Sequence, residues 1–197
     1  MAGSARIGVL ALQGDFREHI GVLRGLGADA VPVKRASEVE SIDGLVIPGG
    51  ESSVMDKLSR MFALSGPLIA AINSRLPVYG TCAGLIMLSN SVLDAIEGQQ
   101  TLGGLDIVVR RNAFGSQLDS FETDLRVPAL GGPPVHAVFI RAPVVESVGS
   151  SVDVLASLDD GRVVAVEQAN LLGTSFHPEM TGDTRFHEYF LAKVAAA

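Results

Sequence analysis

The first half of the chain alternates short apolar runs with helix-like segments, and this alternation restricts the fold more than any other feature. The run RIGVLAL (Arg6 to Leu12) precedes DFREHIGVLRGLG, whose apolar residues recur at the spacing of a helix face before a closing glycine. The pattern repeats in GLVIPGG followed by ESSVMDKLSRMFALSGPLIAAINSR, with an expected helix break near Gly66 and Pro67, and in PVYG followed by AGLIMLSNSVL. Repeated strand and helix units predict a parallel sheet covered by helices.

The second half, after about Gly98, is rich in β-branched residues and turn residues. Segments such as LGGLDIVVRR and PVHAVFIRAPVV predict strands, and Asp160-Gly161 marks a hairpin turn between VDVLASL and RVVAVEQ. The last segment predicts a helix capped by Thr181 or Asp183. Residues 1–197 are therefore expected to form one α/β domain of three layers, with a mostly parallel central sheet flanked by helices and extra antiparallel strands in the second half.

Composition limits the class of protein. The 197 residues suffice for a buried core, and 47% of them are hydrophobic. The formal net charge of −7 argues against nucleic acid or an anionic membrane surface as a partner. One cysteine excludes an internal disulfide, and the chain shows neither a signal segment nor an apolar run of about 18 residues. We expect a cytoplasmic protein without membrane segments.

The single cysteine, Cys82, stands in GTCAG, where an apolar run changes from strand to helix. In an open parallel sheet, such a turn lifts one side chain into the crevice beyond the strand ends, and Gly80 and Gly84 suit a tight backbone there. The pattern is the Gly-x-Ser-x-Gly nucleophile elbow with cysteine in place of serine. Amides at the helix start, Ala83 in particular, would favour a thiolate and stabilise an oxyanion. A buried, inert cysteine is the alternative.

A base for this cysteine stands in GTSFHPEM, where His177 follows an apolar run. Pro178 stiffens the turn between His177 and Glu179, so both side chains can lie over the edge at which the strand ends. Glu179 would then hold one tautomer of the imidazole and stabilise its protonated form. The alternative is a surface turn in water, and the elbow at Cys82 makes a triad the better interpretation.

A second glycine-containing crossing, VIPGGESS, offers amides near Gly49 and Gly50 to an oxyanion or another anion. A simple turn capped by Ser52 or Ser53 explains the segment equally well. It is not a P-loop, because no Gly-Lys-Ser/Thr follows.

The other three histidines, His19, His136 and His187, have no acid and nucleophile beside them in the sequence. We interpret all three as surface or packing residues. Histidine, cysteine, aspartate and glutamate show no zinc-ligand spacing, so no metal site is expected.

The motifs PGGES, GTCAG and HPE, in this order, resemble those of class I glutamine amidotransferases, in which cysteine, histidine and glutamate hydrolyse glutamine. Longer segments indicate which of these enzymes the chain resembles most. GVLALQGDFREHI, LVIPGGESSVM, VYGTCAGLIML, RRNAFGSQLDSFE, FIRAP and TSFHPEMTGDTRFHEYF are similar to the glutaminase subunits of pyridoxal 5'-phosphate synthase, over about Ile7 to Phe190. The resemblance implies the flavodoxin-like fold of the class I enzymes.

The resemblance also implies a role for each matching residue. The nucleophile maps onto Cys82, and the other catalytic positions map onto His177 and Glu179. The oxyanion donors are expected at Gly49, Gly50 and Ala83. The glutamine contacts map onto Gly50, Glu51, Ser52, Arg111, Ile140 and Arg141. Glutamine is zwitterionic, so an acid for its ammonium and an arginine for its carboxylate are the expected complements.

The activity implied is hydrolysis of L-glutamine to L-glutamate and ammonia through a γ-glutamyl thioester, without cofactor or metal. The expected partner is the synthase subunit, which docks over the site in a hetero-oligomer and uses the ammonia to build pyridoxal 5'-phosphate. Two residues depart from the family pattern: Ser53, where threonine is more frequent, and Ser116, where a basic residue is frequent. The alternatives are a glutaminase for another synthase, a cysteine peptidase-like hydrolase, and a non-catalytic binding module on the same fold.

Overall fold

The computed structural model of the chain describes residues 4–113 and 120–197, so Ser116 lies outside the described residues. The strands are β1 (Arg6–Leu10), β2 (Asp29–Val33), β3 (Gly44–Ile47), β4 (Val78–Thr81), β5 (Ser89–Leu93), β6 (Leu105–Arg110), β7 (Ser120–Leu125), β8 (Val135–Ile140), β9 (Val144–Val148), β10 (Asp153–Ser157), β11 (Val163–Gln168) and β12 (Leu171–Thr174). The helices are α1 (Phe16–Gly25), α2 (Ala36–Val39), α3 (Ser52–Met61), α4 (Ser65–Asn73), α5 (Ala83–Leu88) and α6 (Arg185–Ala195).

The central sheet has the strand order β2-β1-β3-β4-β12-β11-β9-β6-β5, and β10 also pairs with β11. Strands β2, β1, β3, β4 and β12 are parallel. From β12 onward the pairs β12–β11, β11–β9 and β9–β6 are antiparallel, while β5 and β6 are parallel. The predicted mostly parallel sheet with antiparallel strands from the second half is confirmed. The hairpin predicted at Asp160-Gly161 joins β10 to β11.

Helices cover both faces of the parallel half of the sheet. Successive side chains of a strand point to opposite faces, so each strand contributes to the packing on both sides. In β3, Val46 packs in one core cluster with Leu23 of α1 and Phe190 of α6. Its neighbours Leu45 and Ile47 pack in the other cluster, with side chains of α3, α4 and α5. This arrangement gives the three expected layers. None of the helices in residues 4–113 and 120–197 is long and apolar enough to cross a membrane.

The helix predicted over AGLIMLSNSVL was wrong in its second half. Helix α5 ends at Leu88, and the next five residues form β5, which pairs with β6. Asn90 and Ser91 favour a helix only weakly, so pairing with a strand that lies later in the chain determines the structure here.

Two helix starts also differ from the prediction. The break between α3 and α4 comes before Ser65, so Gly66 and Pro67 lie in the first turn of α4, where proline is tolerated. Helix α6 begins after Thr184 without a side-chain cap at that residue. Asp183 instead accepts a hydrogen bond from the Arg185 amide at 3.1 Å.

Candidate active site

Cys82 and His177 come to the same edge of the sheet because β4 and β12 are parallel neighbours. In their register Thr81, which precedes Cys82, lies opposite Thr174, three residues before His177. The Cys82 amide donates to the Thr174 carbonyl at 2.8 Å and fixes the crossing. The edge is the carboxyl end of the parallel strands, where open α/β sheets bind ligands.

The turn at Cys82 has the sharp geometry of a nucleophile elbow. Cys82 has φ 49° and ψ −104°, a positive-φ conformation that non-glycine residues rarely adopt. A Cβ atom at Gly84 would lie 2.0 Å from the Ile47 carbonyl oxygen, and one at Gly80 would lie 2.5 Å from the Gly84 carbonyl oxygen. Both glycines therefore allow α5 to pack closely on the sheet. The strained backbone is at Cys82 itself and not at Gly80, where the sequence analysis expected the turn to need freedom.

His177 connects the thiol to Glu179. Its Nδ1 lies 2.7 Å from Oε1 of Glu179, and the Cys82 side chain is near enough to the ring to influence its protonation. The His177 side chain is 5% exposed and that of Glu179 is fully buried. Burial alone would lower the pKa of His177, but the hydrogen bonds and charges of Cys82 and Glu179 outweigh burial and raise this pKa to about 10. Burial raises the pKa of Glu179, against the opposing effect of His177.

Asp15 is an acid near the triad that the sequence analysis did not single out. Its Oδ2 lies 3.5 Å from His177 Nδ1, and its side chain is 42% exposed. Ligand atoms of Asp15, His177 and Glu179 all lie within 4.8 Å of one another, close enough to hold a metal ion. The short bond between His177 and Glu179 already uses one atom of each, so we describe the group as a hydrogen-bonded triad with a neighbouring acid.

The loop after β3 carries two of the expected oxyanion residues. Gly50 lines the cleft beside Cys82 and Ala83. Gly49 lies against the His177 ring, where a Cβ atom would be 2.5 Å from Cε1. Gly50 has φ 145°, a conformation reserved in practice for glycine. Close packing and backbone conformation therefore both require glycine in this loop.

Helix α3 begins directly after this loop, and its N-cap residue is neither Ser52 nor Ser53, the two residues that the sequence suggested. Glu51 is the N-cap residue, and its carboxylate accepts hydrogen bonds from the amide and the hydroxyl of Ser53. The Glu51 amide donates to Oε1 of Gln13 at 2.8 Å. Ser52 is 2% exposed and does not act as the cap. The first loop of the chain therefore holds the start of α3 in place.

The expected glutamine contacts Glu51 and Arg111 form an ion pair. Nη2 of Arg111 donates to Oε1 of Glu51 at 2.7 Å, and Nη1 donates to Oε1 of Gln99 at 2.9 Å. Gln99 in turn donates to the Ser52 hydroxyl at 3.0 Å. The Arg111 side chain is only 9% exposed, so the guanidinium is held in a fixed orientation at the cleft. Gln99 is a supporting residue for which the sequence showed no signal.

The end of β8 forms the opposite wall. The Cys82 sulfur lies 3.9 Å from the Ile140 carbonyl oxygen. Arg141 follows with φ 43° and an exposed side chain. The cleft has a volume of about 480 Å³ and contains all of the predicted triad and glutamine-contact residues except Glu179, which lies behind His177. It also contains residues that the sequence analysis missed, namely Gln13, Asp15, Ile86, Asn112 and Met180.

The other histidines divide into two kinds. His136 is exposed on β8 between Glu122 and Asp124, at 2.9 Å and 3.0 Å. His19 and His187 are fully buried and hydrogen-bonded to each other at 2.9 Å. His136 is thus a surface residue, and His19 and His187 are packed in the core. The sequence did not indicate that His19 lies near the triad.

Comparison with known proteins identifies the family. Residues 9–196 match the SNO glutamine amidotransferase family. The chain belongs to this family. This glutamine amidotransferase is 70% identical over 194 residues to the pyridoxal 5'-phosphate synthase subunit PdxT of Leifsonia xyli subsp. xyli, with 98% of each chain covered. It is 67% identical to the subunit of the same name from Clavibacter michiganensis subsp. michiganensis, over 97% of this chain and 91% of the other.

A solved structure supports the same assignment. The crystal structure of a glutamine amidotransferase matches this glutamine amidotransferase with a TM-score of 0.90 and 44% identity, over 96% of this chain and 98% of the other. The family expected from PGGES, GTCAG and HPE is thus confirmed, as is the class I fold.

Proposed function

We propose that this amidotransferase hydrolyses L-glutamine to L-glutamate and ammonia, and that it passes the ammonia to the synthase subunit of a pyridoxal 5'-phosphate synthase. The supporting observation is one cleft that contains the Cys82 thiol, the His177 ring and the Glu51–Arg111 pair. A nucleophile, a proton carrier and the two charges complementary to an amino acid zwitterion therefore face the same space.

The first half of the reaction forms the thioester. The Cys82 thiolate attacks the side-chain carbonyl carbon of glutamine, and the carbonyl electron pair moves to oxygen. Amides of the Gly49-Gly50 loop and of Ala83 stabilise this oxyanion. When the tetrahedral intermediate collapses, the C–N bond breaks and His177 gives its proton to the departing ammonia.

The second half releases glutamate. The neutral His177 ring takes a proton from water, which attacks the thioester carbonyl, and collapse breaks the C–S bond to restore the Cys82 thiolate. Glu179 stabilises the imidazolium at both stages through the 2.7 Å contact with Nδ1, which leaves Nε2 for the proton transfers.

The same cleft supplies groups for recognising glutamine. In the proposed complex Arg111 binds the α-carboxylate and Glu51 binds the α-ammonium, so the zwitterion places its two charges on the ion pair. Backbone groups of Gly50 and Ile140, with Ser52 and Arg141, complete the contacts. The orientation of Arg111 by Gln99 reduces the ordering needed on binding.

We expect the alkaline limb of kcat at saturating glutamine to lie well above pH 6.5, because His177 must keep a proton for the leaving ammonia. Its pKa is raised from 6.5 to about 10, so the proton is held as pH rises past 6.5 and is lost only as pH rises through 10. By the same linkage, the contribution of His177 to folding stability is complete below pH 6.5 and disappears toward pH 10. The pH profile of glutamate release in the complete complex measures the limb.

The control for this prediction is Glu179→Gln, which keeps the shape of the side chain but removes its charge. The limb should move to lower pH in this variant, since Glu179 is one of the groups that raise the pKa of His177. A wild-type limb near pH 6.5 would show that His177 is not stabilised in its protonated form.

The partner and the location are part of the proposal. Both relatives described above are named as subunits of pyridoxal 5'-phosphate synthase. Free ammonia would be lost to solvent, so a glutaminase of this kind needs a synthase subunit docked over the cleft, in a hetero-oligomer. A cytoplasmic location suits a mechanism that depends on a reduced cysteine.

The test measures glutamate release with and without the purified synthase subunit, together with glutamine-dependent formation of pyridoxal 5'-phosphate by the mixture. Formation of both products supports the proposal. Glutamate release without pyridoxal 5'-phosphate would indicate a glutaminase that serves another synthase. Absence of both, with the complex formed, would indicate a non-catalytic binding module.

A further inference from the structure

Two buried histidines, His19 of α1 and His187 of α6, lie directly behind the triad. Both are fully buried, and neither lines the cleft. Nδ1 of His19 lies 2.9 Å from Nε2 of His187. On the other side of its ring, Nε2 of His19 lies 3.3 Å from Oε2 of Glu179 and 3.1 Å from the Thr81 hydroxyl. The histidines thus continue the line of polar side chains that runs from Cys82 through His177 and Glu179.

Glu179 needs a donor at this position. Its Oε1 contacts His177, while Oε2 is buried and has no well-formed hydrogen bond among the described residues. The approach of His19 Nε2 at 3.3 Å is within hydrogen-bond distance but imperfectly aligned. A buried carboxylate oxygen without a donor is costly and favours the protonated acid, which could no longer stabilise a protonated His177.

The positions of the protons follow from the two rings. Burial, and repulsion from the positive charges that His187 and His177 carry when protonated, lower the pKa of His19 well below its ordinary value, and burial lowers the pKa of His187 to about 4. Both rings are therefore neutral near pH 7, and each carries one N–H. Only one proton can lie between Nδ1 of His19 and Nε2 of His187.

One of the two possible assignments of these protons suits the network better than the other. If the shared proton belongs to His187, His19 carries its own proton on Nε2, directed at Glu179 and Thr81, and His187 Nδ1 is left as an unprotonated acceptor. The opposite assignment directs a lone pair of His19 at a carboxylate oxygen. It also leaves an N–H on His187 Nδ1, which has no partner among the described residues. A buried donor without a partner is costly, so the first assignment is favoured.

We propose that His19 is a positioning residue that donates from Nε2 to Oε2 of Glu179. The donation holds the carboxylate ionised and keeps its other oxygen on His177. His187 acts through His19 by fixing its tautomer. The inference rests on the proposed role of the triad in glutamine hydrolysis, and it adds residues from the first and last helices to the machinery.

The test compares His19→Leu, which removes the donor, with His19→Gln, which can donate from a similar position, both in complex with the synthase subunit. In His19→Leu we expect kcat to fall on the order of 10- to 100-fold, as for other residues that orient a functional group, with little change in KM. The alkaline limb of kcat should also move to lower pH, because a protonated Glu179 no longer raises the pKa of His177. His19→Gln should restore most of kcat and the limb. His136→Leu is the matched control at an exposed histidine, and it should behave as wild type.

If the wild-type complex turns over normally, any of three outcomes would overturn the inference. They are an unchanged kcat in His19→Leu, an unchanged alkaline limb of kcat in that variant, or an equal fall in kcat in the Leu and Gln variants. If His19→Leu does not fold, His187→Leu replaces it, since it keeps His19 but removes the proton that fixes its tautomer. The same shift of the limb is expected, and an unshifted limb contradicts the inference. Lack of turnover in the wild-type complex would instead count against the proposed function.

Discussion

Glutamine hydrolysis is expected to fall below detection in Cys82→Ala, even with the synthase subunit present. Alanine removes the atom that forms the thioester, and loss of a triad nucleophile costs on the order of 10⁴- to 10⁶-fold in kcat. Removing one sulfur should leave the fold intact, because alanine has the same Cβ atom as cysteine and adds no backbone strain at this positive-φ position. Glutamate release by the purified complex measures the effect.

The control for Cys82→Ala is the affinity of the variant for the synthase subunit. It should match that of wild type, because the side chain is only 6% exposed and contributes little surface to a partner. Substantial glutamate release by a correctly assembled variant would remove Cys82 from the role of nucleophile.

Gly84→Ala is expected to cause a large loss of stability through the addition of a single methyl group near the site. The new Cβ atom would lie 2.0 Å from the Ile47 carbonyl oxygen, a backbone atom that cannot move aside as a flexible side chain could. Overpacking typically costs about 1–3 kcal/mol, and a backbone collision at this distance should reach or exceed the upper end. Helix α5 must then shift from β3, which also misplaces Cys82. Urea unfolding and glutamate release measure the two effects.

Gly21→Ala provides the matched control. Gly21 lies in the interior of α1, where a Cβ atom would meet nothing within 4 Å. The same substitution there should stabilise the protein by about 0.5–1 kcal/mol through helix propensity. A Gly84→Ala variant as stable as wild type would mean that α5 does not need the close approach to β3.

The elbow and the sheet edge could be predicted from sequence because each depends on local patterns. A strand, a pair of glycines and a helix leave few alternatives for Cys82, and parallel strands place their ends at one edge. His177 and Cys82 could therefore be brought together without knowing the strand order. The structure adds that β4 and β12 are direct neighbours.

The supporting residues could not be predicted because long-range packing places them. His19 meets His187 across 168 positions, and nothing in either helix indicates the other. Gln99 contacts Arg111 from a loop whose path the sequence pattern does not define. Strand β5 was missed for the same reason, since its pairing with β6 outweighs its local preference.

The central claim is that Cys82 attacks the side chain of bound glutamine, and labelling with the glutamine analogue diazo-oxonorleucine tests it most directly. The complex would be treated with the analogue, with and without excess glutamine, and the modified peptide identified by mass spectrometry. We predict a single adduct on Cys82, suppressed by glutamine and absent from Cys82→Ala. Labelling at another residue, or no labelling of a complex that releases glutamate, would contradict the claim.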